Sequence, residues 1–201
     1  MANPFETLGL APTFALDPAS LEQRQRELNR AVHPDRHAGK SPAERRQALS
    51  RAMDINLAYR TLRDPASRAE ALFELLGAGG TRESTISDPV LLLEMLEQRE
   101  ALEQARQSKD LARLRGIGAL MAERERRVTA ALESAFAPLL GSTSPSQAAL
   151  SQAALSQAAP SAPAVRAEAR AEQLAGARQL LAELRYVRRF AEEIAVFEDE
   201  S

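Results

Sequence analysis

Five times in its first 89 residues this chain places Asn, Asp or Ser directly before a proline: Asn3-Pro4, Asp17-Pro18, Ser41-Pro42, Asp64-Pro65 and Asp88-Pro89. Each pair is a helix start. The polar side chain can accept a hydrogen bond from the first turn, and proline suits the position after the cap because its φ is already helical. Glu6 and Glu44 sit three residues after Asn3 and Ser41, the spacing of a capping box. A chain punctuated this way is committed to helices of defined length. Its composition agrees, since Ala, Leu, Arg, Glu and Gln dominate and aromatic residues make up only 4%.

Hydrophobic spacing gives the helices their faces. The first is short, contributes Phe5, Leu8 and Leu10, and ends at Gly9. The second runs to about Ala31 with Leu21, Leu28 and Val32 on one stripe, and the third to about Arg63 with Leu49, Ala52, Met53, Asn56, Tyr59 and Leu62 at three- and four-residue steps. The fourth carries Ala69, Leu72, Phe73 and Leu76, after which Gly77-Ala78-Gly79-Gly80 breaks the composition. A helix from Pro89 to about Gln107 follows. Asp110 can cap another that reaches Phe136 or Leu140, with Leu114, Ile117, Met121, Val128, Leu132 and Phe136 in line. The last helix spans about Val165–Phe197, with Leu174, Ala177, Leu181, Leu184, Val187, Ala191 and Ile194 on one face. Before it, Ser-Gln-Ala-Ala-Leu occurs twice and Ser-Gln-Ala-Ala-Pro once between 146 and 160. Five residues is no structural repeat, and 141–163 reads as a low-complexity loop insert. The expected fold is all-α: a four-helix module at 1–76, a linker at 77–87, and an antiparallel three-helix bundle at 88–201.

Between the second and third helices lies Val32-His33-Pro34-Asp35-Arg36. Pro34 cannot continue a helix and pushes His33 out of the α region. His33 and Asp35 therefore sit at an exposed bend, away from any apolar face. A His–Asp catalytic dyad is disfavoured, because residues two apart in an extended segment point to opposite sides and no Ser or Cys nucleophile with an oxyanion site lies nearby.

Other classes are narrowed by absence. The chain has no Cys and only two His, His33 and His37, so thiolate metal sites and Cys nucleophiles are excluded and no metal or cofactor is expected. Gly77-Ala78-Gly79-Gly80 lacks the strand, Lys and Ser/Thr of a phosphate-binding loop. Net charge is -2, giving no global pull toward nucleic acid or an anionic membrane. The first 76 residues are the relatively basic part, with 11 Lys/Arg against 10 Asp/Glu. No apolar run is long enough for a membrane span, and no signal peptide opens the chain, so a cytoplasmic location is expected.

On the second module, Val90 to Leu96 is apolar except for Glu94. Leu91, Met95 and Leu102 supply the stripe that a bundle needs. Leu92, Leu93 and Leu96 form a second group rotated away from it. They either pack against the first module or wait for a partner.

Four helices with His-Pro-Asp between the second and third resemble a J-domain. The tripeptide comes with Pro4-Phe5-Glu6-Thr7-Leu8-Gly9-Leu10 upstream and Ile55-Asn56-Leu57-Ala58-Tyr59-Arg60-Thr61-Leu62-Arg63-Asp64-Pro65 downstream. The whole chain outside the insert resembles the HscB family of J-domain co-chaperones, through Arg68-Ala69-Glu70-Ala71-Leu72, Leu91 to Glu100 and Leu184-Arg185-Tyr186. The resemblance implies a non-enzymatic co-chaperone. It would dock on a DnaK-class chaperone of the HscA type through His33, Pro34 and Asp35, stimulate its ATP hydrolysis, and deliver an IscU-type iron–sulfur scaffold protein. Arg24 and Arg30 would steer it toward an acidic partner surface. Leu92, Leu93 and Leu96 would bind the scaffold, with Glu97 and Glu100 as an acidic rim and Tyr186 as an aromatic anchor. A J-domain adaptor for a different client is the alternative. Three positions depart from the pattern: Val32 replaces the usual aromatic before His33, Arg36 the frequent Lys after Asp35, and Gln104 a residue that is acidic in some relatives. The absence of a Cys-rich zinc module points to the bacterial type.

Overall fold

The computed structural model describes residues 3–33, 41–79, 86, 88–141 and 163–199. Seven helices and no strand occur among them: α1 Pro4–Leu8, α2 Pro18–Ala31, α3 Pro42–Arg63, α4 Pro65–Leu75, α5 Pro89–Gln107, α6 Leu111–Gly141 and α7 Pro163–Asp199. Two compact units result, Met1–Gly80 and Thr81–Ser201. Most of the 141–163 insert, and residues 80–85 and 87 of the expected linker, lie outside the described residues.

Every cap–proline pair starts a helix. Asn3 accepts from the Phe5 amide, Asp17 from Ser20, Asp64 from Ser67 and Asp88 from Val90 and Leu91, while Ser41 and Glu44 close a reciprocal capping box. Asp110, without a proline, accepts from the Arg113 amide at 2.9 Å and starts α6. Three helix ends close by one device, in which a residue at positive φ lets two amides turn back to the last carbonyls. At Gly9 (φ 65) the pairs are Leu10 to Phe5 and Gly9 to Glu6; at Gly77 (φ 72) they are Ala78 to Phe73 and Gly77 to Glu74. At the end of α5 the pairs are Asp110 to Ala105 and Lys109 to Arg106, but the residue at φ 54 is Lys109. A lysine held there bears a left-handed cost that glycine would avoid.

The first unit is built on Phe5, Leu8, Phe14, Leu21, Ile55, Leu62, Leu72 and Phe73, all buried. One expectation is corrected here. Leu49 and Met53 are not on the packed stripe of α3; each is 64% exposed. The stripe is Ala48, Ile55, Ala58 and Leu62. Both series fit helical spacing and differ by a rotation of about 100°. Leu62, fully buried just before the α3–α4 joint, fixes the phase, and Ala48 and Ala58 are buried with it.

Among the described residues of this unit, Arg68 of α4 is the buried charged one, 8% exposed. Its guanidinium donates to the carbonyls of Leu62 at 2.7 Å, Phe14 at 2.6 Å and Arg63 at 3.4 Å, and it lies over the Phe14 ring. It thus joins the α3–α4 corner to the α1–α2 connection.

In the second unit, contacts between α6 and α7 pair 118 with 194, 124 with 183 and 125 with 188, so these two run antiparallel. Contacts of α5 with α7 pair 95 with 186, 99 with 193 and 106 with 197, so those run parallel. This is an up–down–up bundle. The expected α6 stripe is buried throughout, with Leu139 added. On α7, Ala177, Leu181, Leu184, Val187 and Ile194 are buried as expected, together with Ala182 and Phe190.

Two stability predictions follow. Arg68→Met keeps the stem and removes the donors from buried carbonyls. It should destabilise the protein by about 2–4 kcal/mol, read from denaturant unfolding. Lys109→Gly relieves the left-handed strain and should raise stability by about 1 kcal/mol in the same assay.

Candidate functional site

His33 is exposed at the end of α2, one residue past the Val32 cap. Pro34 and Asp35 lie outside the described residues. The two arginines expected to flank this loop differ in their surroundings. Arg30 is exposed in the last turn of α2. Arg24 is half-buried: its Nε donates to the Leu8 carbonyl at 2.8 Å, and its guanidinium passes so close to Gly9 that a Cβ there would stand 2.8 Å from Nη2. Arg24 therefore holds the end of α1 against α2, and Gly9, chosen for its φ, also leaves the arginine tip in place where a Cβ would push it aside. Nothing in the sequence spacing marks this dual use.

The second surface is on α5. Met95, Leu102 and Ala105 are buried in the bundle. At about 100° per residue, Leu92, Leu96 and Leu93 stand progressively further round from Met95. They are 43%, 61% and 59% exposed, and Glu97 and Glu100 are exposed beside them. Glu94, the polar interruption of the run, faces α6. Its carboxylate accepts from Arg124 at 3.0 Å, while the Arg124 Nε donates to Glu183 of α7 at 2.7 Å. One arginine thus ties three helices. Burial opposes its charge, but the hydrogen bonds to Glu183 and Glu94 outweigh that and hold its pKa above the ordinary arginine value. With Met95 pulled inward and Glu94 drawn to α6, the rotation of α5 is fixed, and the leucines have no place but the surface.

Tyr186 is half-buried rather than projecting. Its hydroxyl donates to the Met95 carbonyl at 3.2 Å, its ring stacks on Phe190 at 5.9 Å between centroids, and it packs against the core cluster of Leu102, Leu114, Val187 and Phe190. Burial pushes the phenol pKa up, against the opposing pull of Arg99. The bond to Met95 sets Tyr186 against α5 one residue from Leu96.

Among the described residues, no group of three or more His, Asp or Glu side chains is placed to hold a metal, and no helix is long and apolar enough to cross a membrane. The described geometry is thus an exposed His33 at the end of α2 in one unit and an exposed leucine group with Glu97 and Glu100 beside it in the other.

Comparisons with known proteins agree on the family. A family profile described as the HSCB C-terminal oligomerisation domain matches residues 87–195. A co-chaperone protein HscB homolog of Shewanella loihica is 45% identical over 103 residues, 51% of this chain and 60% of that protein. The homolog of Shewanella oneidensis is 42% identical over 109 residues, 54% of this chain and 63% of its own length. The matches thus span about three fifths of these curated relatives. Among solved structures, the chaperone HscB from Vibrio cholerae superposes with a TM-score of 0.68 at 29% identity, covering 98% of each chain. Human co-chaperone protein HscB superposes at 0.72 with 24% identity over 98% of this chain and 83% of its own, a likeness of fold. With more than half of its residues matched by the profile, including the helices that present the leucine patch, the chain belongs to the HscB family of co-chaperones.

Proposed function

We propose that this chain docks on a DnaK-class chaperone of the HscA type through His33, Pro34 and Asp35, stimulates its ATP hydrolysis, and delivers to it an IscU-type scaffold in iron–sulfur cluster assembly. The observation that carries this reading is the pairing, in one chain of the HscB family, of an exposed His33 directly after α2 with the exposed Leu92, Leu93 and Leu96 on α5. The chain would act without a cofactor, by binding two partners.

The chemistry of each surface suits its role. Pro34 limits the freedom of the loop, His33 offers a donor or acceptor, and Asp35 an acceptor for an arginine fork. Arg30 adds exposed positive charge, and Arg24 contributes field from a fixed position. At the patch, the three leucines supply apolar area, and Glu97 and Glu100 select a partner with basic flanks. Tyr186 would add an aromatic edge to the patch, and its hydroxyl supports α5.

Two sets of variants test this. His33→Gln should leave the melting temperature nearly unchanged, because the side chain is exposed, and should abolish stimulation of the chaperone ATPase. Leu92→Ala, Leu93→Ala and Leu96→Ala combined should abolish binding of the scaffold, measured by calorimetry, while basal stimulation survives. Intact scaffold affinity with a large fall in melting temperature would make these leucines core and overturn the assignment. Tyr186→Phe separates the two parts of that residue. It keeps the ring and loses the hydroxyl with its bonds to the Met95 carbonyl and Arg99, so stability should fall by about 1 kcal/mol with scaffold affinity largely retained.

A further inference from the structure

On the two helices either side of His33 and the segment after it, the buried or half-buried apolar residues include Leu21, Leu28 and Val32 on α2 and Ala48, Ala52, Ile55, Ala58 and Leu62 on α3. Apolar contact is non-directional, and a helix surface repeats every turn, about 5.4 Å. One polar cluster adds a directional contact between the two helices. The Asn56 Oδ1 accepts from Gln25 Nε2 at 2.9 Å and from Asn29 Nδ2 at 3.0 Å. Gln25 and Asn29 are four residues apart, so they stand one above the other on the same face of α2. Asn56 is held between them as in a fork, and a slide by one turn in either direction would leave it at most one of its two donors.

The Asn29 Oδ1 is buried and finds no hydrogen-bond partner among the described residues. A buried acceptor without a donor costs about 1–3 kcal/mol, which a leucine in its place would not incur. Where a buried polar group costs stability and lies between two packed helices, its best-attested return is a single register.

We propose that Asn56 is a positioning residue for the His33 loop: with Gln25 and Asn29 it locks the register of α2 against α3, and with it the span that the loop closes. Asn29 lies two residues before the end of α2 and four before His33, so a register error at the fork displaces the helix end from which His33 departs. This rests on the docking role proposed above only for its functional consequence; the register itself is a property of the chain.

The test uses the full chain, whose lack of cysteine allows a pair of spin labels at two exposed sites, Arg26→Cys on α2 and Arg46→Cys on α3. The otherwise native chain should give one narrow distance distribution. Combined Gln25→Leu, Asn29→Leu and Asn56→Leu should melt no lower than native, yet show a broadened or second distance population. Asn56→Ala, which adds no bulk, should broaden the distribution in the same way. Both variants, without the labels, should lose stimulation of a DnaK-class chaperone's ATPase by about tenfold, as expected for a misplaced recognition group. A narrow, native distribution in both variants overturns the register lock. A shifted distribution with full stimulation overturns the link to the loop. If the native chain itself fails to stimulate, the docking role falls, while the distance measurement still decides the register.

Discussion

Helix termini govern this fold. Each helix leaves backbone amides at its start and carbonyls at its end without intrahelical partners. A chain with only 4% aromatic residues has few large side chains with which to offset such losses. Side-chain oxygens meet the amides at the starts of α1 to α6. Left-handed residues meet the carbonyls at the ends of α1, α4 and α5. Because these signals are discrete, they set helix lengths and corners, and the corners set which faces meet. The α3–α4 corner shows the economy of the scheme: Asp64 serves as C-cap of one helix and N-cap of the next.

This explains what could be read from sequence. Helix starts were legible because a cap–proline pair acts within one turn. The faces of α5, α6 and α7 were legible because a three-helix bundle requires one broad stripe from each member. The phase of α3 was not, since it must satisfy α1, α2 and α4 together, and alanines at 48 and 58 carry less apolar signal than Leu49 and Met53. Phe190 was missed for a related reason: it widens the α7 stripe beyond the spacing series. Arg68 was visible as part of a motif, but its partners are carbonyls, which no residue pattern displays.

At the two surfaces, the same division holds. The exposure of His33 could be anticipated from the proline after it, and a helical wheel could turn Leu92, Leu93 and Leu96 off the bundle stripe without deciding whether they are covered. The settings of Arg24 and Tyr186 could not. Each combines an exposed edge with a hydrogen bond to a carbonyl of another helix, Leu8 and Met95 respectively. Long amphipathic side chains divide themselves between scaffold and surface in this way, and a sequence reports only the residue type.

The bond from Arg68 to the Phe14 carbonyl spans 54 residues. Its sequence separation has a consequence for synthesis. At about 5–20 residues per second, the connection between α1 and α2 is made seconds before the arginine that secures it. Until then, α2 and α3 can pair and Arg24 can hold the end of α1, but the connection at Phe14 lacks the arginine that secures it. The first unit therefore closes late, on arrival of its fourth helix, and a nascent chain stalled before residue 68 would carry the His33 segment on an unfinished frame.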